Sequence, residues 1–519
     1  MRHACTAVFL FACATCSGAQ ASEPDSHPAP GLPSMHAGDG KDDHRRRPRS
    51  LPGGGGSVHR TFRLAITTTG AYTRAMGGTV RGAMDGVHRT VNRLNEIFGR
   101  DLGVHFELVR DNERLINLPR KDDPFRTLTE DLDIANRNAR FVHDTLGEDA
   151  FDIGHVLDAR GEAGVAGAIG NSCLPYAPAM EDPGRSKASG MSGSDHPLDD
   201  AFIVGVVAHE LGHQLGAWHT FNGCMRSGLD DSTVEPGGGS TIMGYAGRCG
   251  FQSLQPRTDP YFHAVSIGQI GAWLQSRGGS CATTRLNTTS APWVDPDDMA
   301  ATLNVPARTP FRLGARASYA APGAQLTYTF EQVDTGDAQY GELVDTGSGP
   351  LFRSRPPDRS GEQTFPSMNV LLGKEPANLG DTLPMTGRTL EFRLTVRDNL
   401  GPFSHVVTAG RRVRVTDTGR AFALIAPLDT LPAGTPTRVS WDVAGTTEAP
   451  MLCSHVRVDL SVDGGKTFGP SPLLEEAPNT GHATVLLPRD MAGSTQGRLR
   501  VMCGNDTFFA LSPKDLVIL

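Results

Sequence analysis

Three histidines and one glutamate within eleven residues have the types and spacing needed to bind a metal ion and activate water. The stretch reads H-E-x-x-H-x-x-G-x-x-H, with the side chains of His209, Glu210, His213 and His219 at its fixed positions. Histidines four residues apart lie on one face of a helix, so His209 and His213 can share an ion. Three imidazoles leave one position of a tetrahedral zinc site open, which is typical of catalytic sites.

Glu210 and Gly216 complete the predicted chemistry. Because Glu210 directly follows the first ligand, its carboxylate is expected beside the metal, where a general base can hold the attacking water. Gly216 tolerates a positive φ, so the helix can end there and the chain can bring His219 back to the ion. The alternative is a buried helix with ordinary core histidines, since the preceding residues 202–207 form an apolar run.

A second motif lies downstream, at Ser240-Thr241-Ile242-Met243-Gly244-Tyr245. In position it resembles the Met-turn of the metzincin zinc peptidases, and over residues 60–280 the chain resembles the reprolysin-like secreted peptidases of bacteria. This resemblance implies an α+β metzincin catalytic domain, built of a twisted mixed sheet and the zinc-site helix. It also implies that Met243 supports the ligand geometry and that Tyr245 stabilises the oxyanion. A buried structural role is the alternative for Tyr245.

The predicted elements place these residues on a sheet-and-helix scaffold. Thr79 is expected to cap a helix whose apolar residues recur at helical spacing. In metzincins the edge strand, here within 164–170, pairs antiparallel with the substrate peptide. The predicted strands are 61–67, 104–109, 151–157 and the edge at 164–170; the predicted helices are 80–98, 128–146, 199–216 and 264–276.

Length and composition indicate a multidomain protein. A chain of 519 residues is expected to form two to four domains, and its 61 glycines and 36 prolines favour loop-rich, partly all-β structure. After about residue 290, short alternating runs separated by turns predict β-sandwiches, which resemble the immunoglobulin-like modules appended to bacterial secreted peptidases. We predict a zinc peptidase domain at 61–285 and sandwich domains at 290–417 and 418–519.

The first sixty residues are predicted to contain a signal peptide and a linker. Residues 1–21 have the pattern of a signal peptide, with a basic start, an apolar stretch and an A-x-A site. Residues 22–60 have the composition of a disordered linker or short pro-segment, in which Asp39 is a candidate zinc-blocking ligand. No later segment is long and apolar enough to span a membrane. We therefore expect a secreted, extracellular protein; a lipid-anchored form, through Cys13, or a periplasmic one is the alternative.

Six cysteines remain after removal of the signal peptide. An even number in an exported chain implies disulfides, although fifteen connectivities are possible in principle. The favoured pairs are Cys173–Cys281, Cys224–Cys249 and Cys453–Cys503. The segment 228–235 carries three acids, Asp230, Asp231 and Glu235, which can bind Ca²⁺ or form a solvated acidic loop.

The sequence as a whole predicts a secreted zinc endopeptidase that acts on proteins or peptides, with one Zn²⁺ per chain. The net charge of −8 gives no reason to expect nucleic acid as a partner. The leading alternative is a surface-binding or adhesion protein, in which the sandwich modules bind a surface or another protein and the metzincin unit docks or processes one specific partner. A zinc hydrolase acting on a non-peptide bond is a third possibility.

Overall fold

A computed structural model of the chain describes residues 58–176, 183–224, 231–318, 321–377, 379–401, 404–425 and 429–519. The predicted signal peptide, most of the predicted linker with Asp39, and Asp230 of the acidic segment lie outside these residues. No helix in the part of the chain that the structure describes is long and apolar enough to cross a membrane.

A mixed sheet carries the N-terminal region. Its strands, in chain order, are β1 (Val58–Thr68), β2 (Val104–Leu108), β3 (Ile153–Asp158), β4 (Ala163–Ala166) and β5 (Gly190–Gly193). The order across the sheet is β2-β1-β3-β5-β4, with β4 antiparallel to β5 and the other neighbours parallel. The predicted edge strand is therefore confirmed at 163–166. The short strands β6 (Phe221–Asn222) and β7 (Glu235–Pro236) follow, and β8 (Thr283–Leu286) returns antiparallel to β1.

The boundary of the predicted linker is wrong by three residues. Residues 58–60 belong to β1, where Val58 pairs with Leu286 and Arg60 pairs with Val104. Composition identified this segment as disordered because glycine and charge dominate the residues before it. Pairing with two distant strands, which composition does not encode, orders its last three residues.

Helices cover the sheet and carry the histidine motif. They are α1 (Gly70–Ala75), α2 (Val80–Leu102), α3 (Asp131–Leu146), α4 (Asp200–Phe202), α5 (Ala208–Gln214) and α6 (Ala264–Gln275). The Thr79 side chain accepts a hydrogen bond from Gly82 N, which confirms the predicted cap of α2. The apolar face of α2, including Leu94 and Phe98, is fully buried in the core that also holds the motif helix.

The helix that precedes the metal motif differs from the prediction. One continuous α-helix was expected over 199–216, but the residues Ile203–Val207 between α4 and α5 form a π-helical turn, and α5 ends at Gln214. Ala208 N donates to Ile203 O, five residues back. Wide turns of this kind recur at functional sites. Hydrophobic periodicity could not predict this π-helical turn. The run is apolar on every side, so it has no polar face whose spacing would show a change in the number of residues per turn.

The C-terminal part of the chain is rich in β-strands. The first β-rich region (residues 303–416) contains β10 (Leu303–Pro306), β11 (Phe311–Gly314), β12 (Ala317–Ser318), β13 (Thr327–Gln332), β14 (Glu362–Phe365), β15 (Arg388–Arg397) and β16 (Val406–Thr416), where β12 pairs with β9 (Trp293–Val294). Its largest sheet has the order β10-β16-β15-β13. Short helices occur at α7 (Pro296–Ala300) and α8 (Met368–Leu371).

The second β-rich region (residues 423–518) is built around the sheet β21-β20-β23-β24. Its strands are β17 (Ala423–Leu424), β18 (Thr430–Leu431), β19 (Thr437–Asp442), β20 (His455–Ser461), β21 (Leu474–Pro478), β22 (His482–Val485), β23 (Arg498–Cys503), β24 (Phe509–Leu511) and β25 (Val517–Ile518). Trp441 is buried, and its indole donates to Asn479 Oδ1 at 2.7 Å. One continuous buried cluster joins the two β-rich regions.

The six cysteines lie in the three expected pairs. The sulfur atoms of Cys173–Cys281, Cys224–Cys249 and Cys453–Cys503 are at disulfide distance. The second pair closes the loop between the third histidine and the segment after the Met-turn. This covalent tie limits how far the walls around the histidines can separate.

Candidate metal centre

The three motif histidines meet at one point. Nε2 of His219 lies 3.0 Å from Nε2 of His213 and 3.0 Å from Nε2 of His209. All three residues are buried, with 4–5% of their surfaces exposed. Within the described ranges, they form the one group of three or more potential ligands close enough to share a metal ion.

The hydrogen bonds on the opposite ring nitrogens fix the tautomers of two histidines. Nδ1 of His209 donates to the carbonyl of Ile242 and Nδ1 of His213 to the carbonyl of Ala217, each at 2.7 Å. Their Nε2 atoms therefore carry lone pairs, which point at the common centre. Burial, and then the neighbouring His213, lower the pKa of His209 well below its ordinary value. Neutral rings with converging lone pairs suit a cation such as Zn²⁺.

The chain turns at Gly216 to deliver the third histidine. Gly216 has φ +94°, and its N–H donates to His213 O while Ala217 N donates to Gly212 O. This pair of bonds is a Schellman ending, which requires a left-handed residue at the position of Gly216. An added Cβ would also lie 2.8 Å from the Cβ of Trp273. The predicted role of Gly216 as the turning point therefore has a steric and a conformational reason.

The segment around Met243 lies directly beneath the motif helix. The Met243 side chain is fully buried, and a Cβ added to Gly212 would lie 2.6 Å from its sulfur. Thr220 N donates to Met243 O at 3.0 Å, which ties the residue after His219 to this turn. Contact with the motif helix on one side and the His219 segment on the other is what the expected Met-turn requires.

The Glu210 side chain lies against the edge strand β4. Its side chain is buried, and an added Cβ on Gly164 of β4 would lie 2.5 Å from its Oε1. A small cleft beside it is lined by His209, Glu210, Tyr245 and Arg248, among others. The Tyr245 ring lies 4.8 Å from the ring of His219 and 5.6 Å from that of His209. The fold therefore brings the three histidines, Glu210, Met243 and Tyr245 together.

A family model described as "Metallo-peptidase family M12B Reprolysin-like" matches residues 58–272. That segment is a reprolysin-like metallopeptidase domain. The predicted family is confirmed over this part of the chain.

Other comparisons add little to this assignment. No curated protein matches the chain. A solved structure of the Bacteroides ovatus mixed-linkage glucan utilization locus protein SGBP-B, in complex with a mixed-linkage heptasaccharide, shares 11% identity and has a TM-score of 0.13. The match covers 42% of this chain and 42% of that chain. At that TM-score the similarity supports no conclusion about fold or ligand.

Glu235 has a place in the reprolysin-like domain that the sequence did not indicate. Its carboxylate is completely buried and accepts hydrogen bonds from Thr220 Oγ1 and Thr241 Oγ1, each at 2.6 Å, and from Ser240 N at 2.9 Å. It therefore clamps the segment after His219 to the start of the Met-turn. Of the other acids grouped with it as calcium ligands, Asp231 is exposed. Calcium binding stays a prediction.

A buried polar network behind the motif helix of the reprolysin-like domain was also missed. His155 Nδ1 lies 2.9 Å from Gln214 Oε1, and His155 Nε2 lies 2.9 Å from Ser192 Oγ. The amide oxygen of Gln214 accepts, so Nδ1 donates and Nε2 accepts from the serine. Burial lowers the pKa of His155 to about 4. The sequence pattern of β3 could not predict this network, because every residue of the strand is buried and no alternation distinguishes His155 from its neighbours.

We predict that His155 makes the folded protein acid-sensitive. Its pKa is about 4 when folded and 6.5 when exposed, so unfolding takes up a proton between those values. Stability is therefore lost as pH falls through this window. Replacing His155 with Asn should reduce the difference in unfolding free energy between pH 7.5 and pH 5 by about 2 kcal/mol. Denaturant titrations at both pH values measure this.

The exposed His88 on α2 provides the control. His88→Asn should keep the wild-type pH dependence, and the three motif histidines stay intact in every variant. An unchanged acid sensitivity in folded His155→Asn would contradict the assignment.

Proposed function

We propose that the protein is a secreted zinc-dependent endopeptidase, which hydrolyses peptide bonds with Glu210 as general base. The observation that carries this proposal is the meeting of three imidazole nitrogens beside a buried carboxylate and an edge strand. His209, His213 and His219 would hold the zinc. When bound, zinc lowers the pKa of a coordinated water towards about 7 and polarises the scissile carbonyl.

Glu210 is suited to move the proton of the attacking water. Its carboxylate is shielded from solvent and lies next in sequence to a ligand, while Gly164 leaves room for it at the edge of the sheet. A carboxylate so placed can accept the proton and then deliver it to the leaving amine. A side chain on residue 164 would occupy the space that Glu210 needs.

Strand β4 is the proposed substrate platform. It is hydrogen-bonded to β5 along one edge and carries Gly164 against Glu210. A peptide added antiparallel to the other edge would pass the carboxylate with its backbone extended. Such pairing supplies affinity through main-chain bonds with little demand on side chains. Protein or peptide substrates therefore suit the site better than small non-peptide ones.

Tyr245 is the proposed oxyanion stabiliser. Its ring is packed between His219 and Phe221, with centroid distances of 4.8 and 4.3 Å, so the side chain is held beside the proposed ligands. A phenol in this location can donate to the negative oxygen that develops on the carbonyl. A purely structural role would need only the aromatic ring of Tyr245, whereas oxyanion stabilisation also needs its hydroxyl group.

The remaining parts of the proposal concern the whole chain. We propose export by residues 1–21, a peptidase domain at 61–285, and immunoglobulin-like sandwich domains at 290–417 and 418–519. Degradation of casein by the purified protein, loss of this activity with a chelator, and recovery with added zinc would support the enzyme over an adhesion protein. Chelator-insensitive or absent degradation would count against it.

We predict that Glu210→Gln retains zinc but loses peptidase activity. The amide fills the same space, yet it cannot accept the water proton, and loss of general-base catalysis lowers rates by about 10²–10⁴-fold. Zinc content by elemental analysis and casein cleavage measure the two effects. Glu107→Gln, on strand β2, is the matched control and should behave as wild type. Near-normal cleavage by zinc-loaded Glu210→Gln would contradict the assignment.

Tyr245→Phe separates the catalytic from the structural role of that tyrosine. The ring and its packing remain, so zinc content should be unchanged, whereas kcat should fall about 10²-fold through loss of one oxyanion donor. Steady-state kinetics on a peptide substrate measures this, with Tyr340→Phe at an exposed position as control. Wild-type turnover by Tyr245→Phe would leave the residue a packing role only.

A further inference from the structure

The first β-rich region packs directly against the reprolysin-like domain, and buried charges join the two. Arg397 of β15 is fully buried; its Nε donates to Asp101 Oδ1 at 2.8 Å and its guanidinium also donates to Phe262 O at 3.1 Å. Asp101 is likewise buried and accepts from Phe262 N at 2.8 Å. Val406 of β16 is part of the same buried cluster as the motif helix.

The Asp101 carboxylate stays ionised beside its two arginine partners. Burial acts to raise the pKa of Asp101, but Arg100 and Arg397 outweigh it and lower that pKa to about 2. Removing one partner of a buried pair leaves an uncompensated charge, so the two surfaces cannot separate without bringing water to both groups. The contact is therefore more than a flexible tether between domains.

A second buried acid of the first β-rich region reaches the segment that backs the Met-turn. Glu331 of β13 accepts from Ala264 N at 2.9 Å, the first residue of α6, and from Ser354 Oγ at 2.7 Å. Ser354 Oγ also lies 2.9 Å from Tyr261 Oη, and Ser354 O accepts from Ser240 Oγ at 3.0 Å. Glu331 and Ser354 thus bind both ends of the 240–264 segment.

The same bonds continue to a proposed zinc ligand. Ile242 N donates to Tyr261 O at 3.1 Å, and Ile242 O accepts the Nδ1 proton of His209 at 2.7 Å. The orientation of the His209 ring therefore depends on the Ile242 peptide, which is held by Tyr261 and in turn by Ser354. Outer partners of this kind orient metal ligands, and their loss typically costs about 10–100-fold in metal affinity or activity.

A separate arm of the first β-rich region reaches the loop after the third histidine. Asn222 Nδ2 donates to Gly336 O at 2.8 Å, and Gln252 Nε2 donates to Gly341 O at 3.2 Å. Gln252 Oε1 in turn accepts from Cys224 N at 2.9 Å. The disulfide-closed loop that follows His219 is therefore supported from outside the reprolysin-like domain.

We propose that the first β-rich region supports the geometry of the metal centre. Glu331 and Ser354 are positioning residues that fix the Met-turn and, through the Ile242 peptide, the orientation of the His209 ring. This role differs from the surface-binding role expected of appended modules. Its catalytic part rests on the proposed peptidase function, whereas its effect on metal affinity does not.

The test compares Glu331→Gln with Asp334→Asn in the full chain. The carboxylate accepts from Ala264 N, Ser354 Oγ and Thr395 Oγ1. The amide introduced by Glu331→Gln keeps one accepting oxygen, but its nitrogen presents N–H groups where the second oxygen accepted. Asp334 is a half-buried acid of the same region. It accepts from Glu391 N and Gln332 Nε2, both within that region, so its variant controls for damage to the region alone. Zinc Kd is measured by chelator competition, and kcat and KM on a peptide.

Glu331→Gln should raise zinc Kd about 10-fold and lower kcat about 10-fold with KM within about 2-fold, at a temperature where all variants are folded. Asp334→Asn should match wild type in all three. Folded Glu331→Gln with wild-type Kd and kcat would overturn the proposal, as would equal losses in Asp334→Asn. If Glu331→Gln does not fold, Ser354→Ala tests the proposal instead. This variant keeps the main-chain carbonyl that accepts from Ser240 but removes the hydroxyl between Glu331 and Tyr261. It should weaken zinc binding several-fold. Wild-type zinc affinity in folded Ser354→Ala would then overturn the proposal.

The zinc measurement keeps this inference separate from the proposed enzyme. A wild-type protein that binds zinc but cleaves no peptide would refute the peptidase, while the comparison of zinc Kd values would still decide the role of Glu331.

Discussion

The structure depends on holding three imidazole Nε2 atoms at one point. Their Nε2 atoms lie 3.0 Å apart in two of the pairs, close enough to share one cation. The elements around the site hold the rings in these positions. The Schellman ending turns the chain at Gly216, Glu235 clamps the segment after His219, and the Ile242 and Ala217 carbonyls hold two rings by their Nδ1 protons. Rings held in this way offer a preformed set of ligands to a cation.

The scaffold supporting this point extends beyond the reprolysin-like domain. Backbone amides of the segment 262–264 donate to Asp101 and Glu331, two buried acids from different parts of the chain. Buried carboxylates are stable only when fully hydrogen-bonded or paired, and here their partners include main-chain amides whose positions they fix. The β-rich region and the metal site therefore share one continuous polar framework, rather than meeting across a loose interface.

Much of the site could be predicted because its signals are local. The i, i+4 spacing of His209 and His213 fixes one helical face, and Gly216 marks where the helix must end. The cap at Thr79 and the edge strand near Gly164 were likewise readable from short patterns. Glu235 and His155 were not, because their partners are 5–59 residues away in sequence and no periodicity connects them. The π-helical turn was hidden by an all-apolar run.

By itself, the sequence determined the candidate ligands, the candidate base, the expectation of disulfides and the alternation of a β-rich second half. Each of these follows from residue type, short spacing or cysteine count. Only the tertiary structure decided which acids are buried, which backbone groups they hold, and that Arg397 and Glu331 reach the segment behind the Met-turn. Such contacts join residues up to 296 positions apart, and their energy arises from desolvation on folding, which a linear pattern does not record.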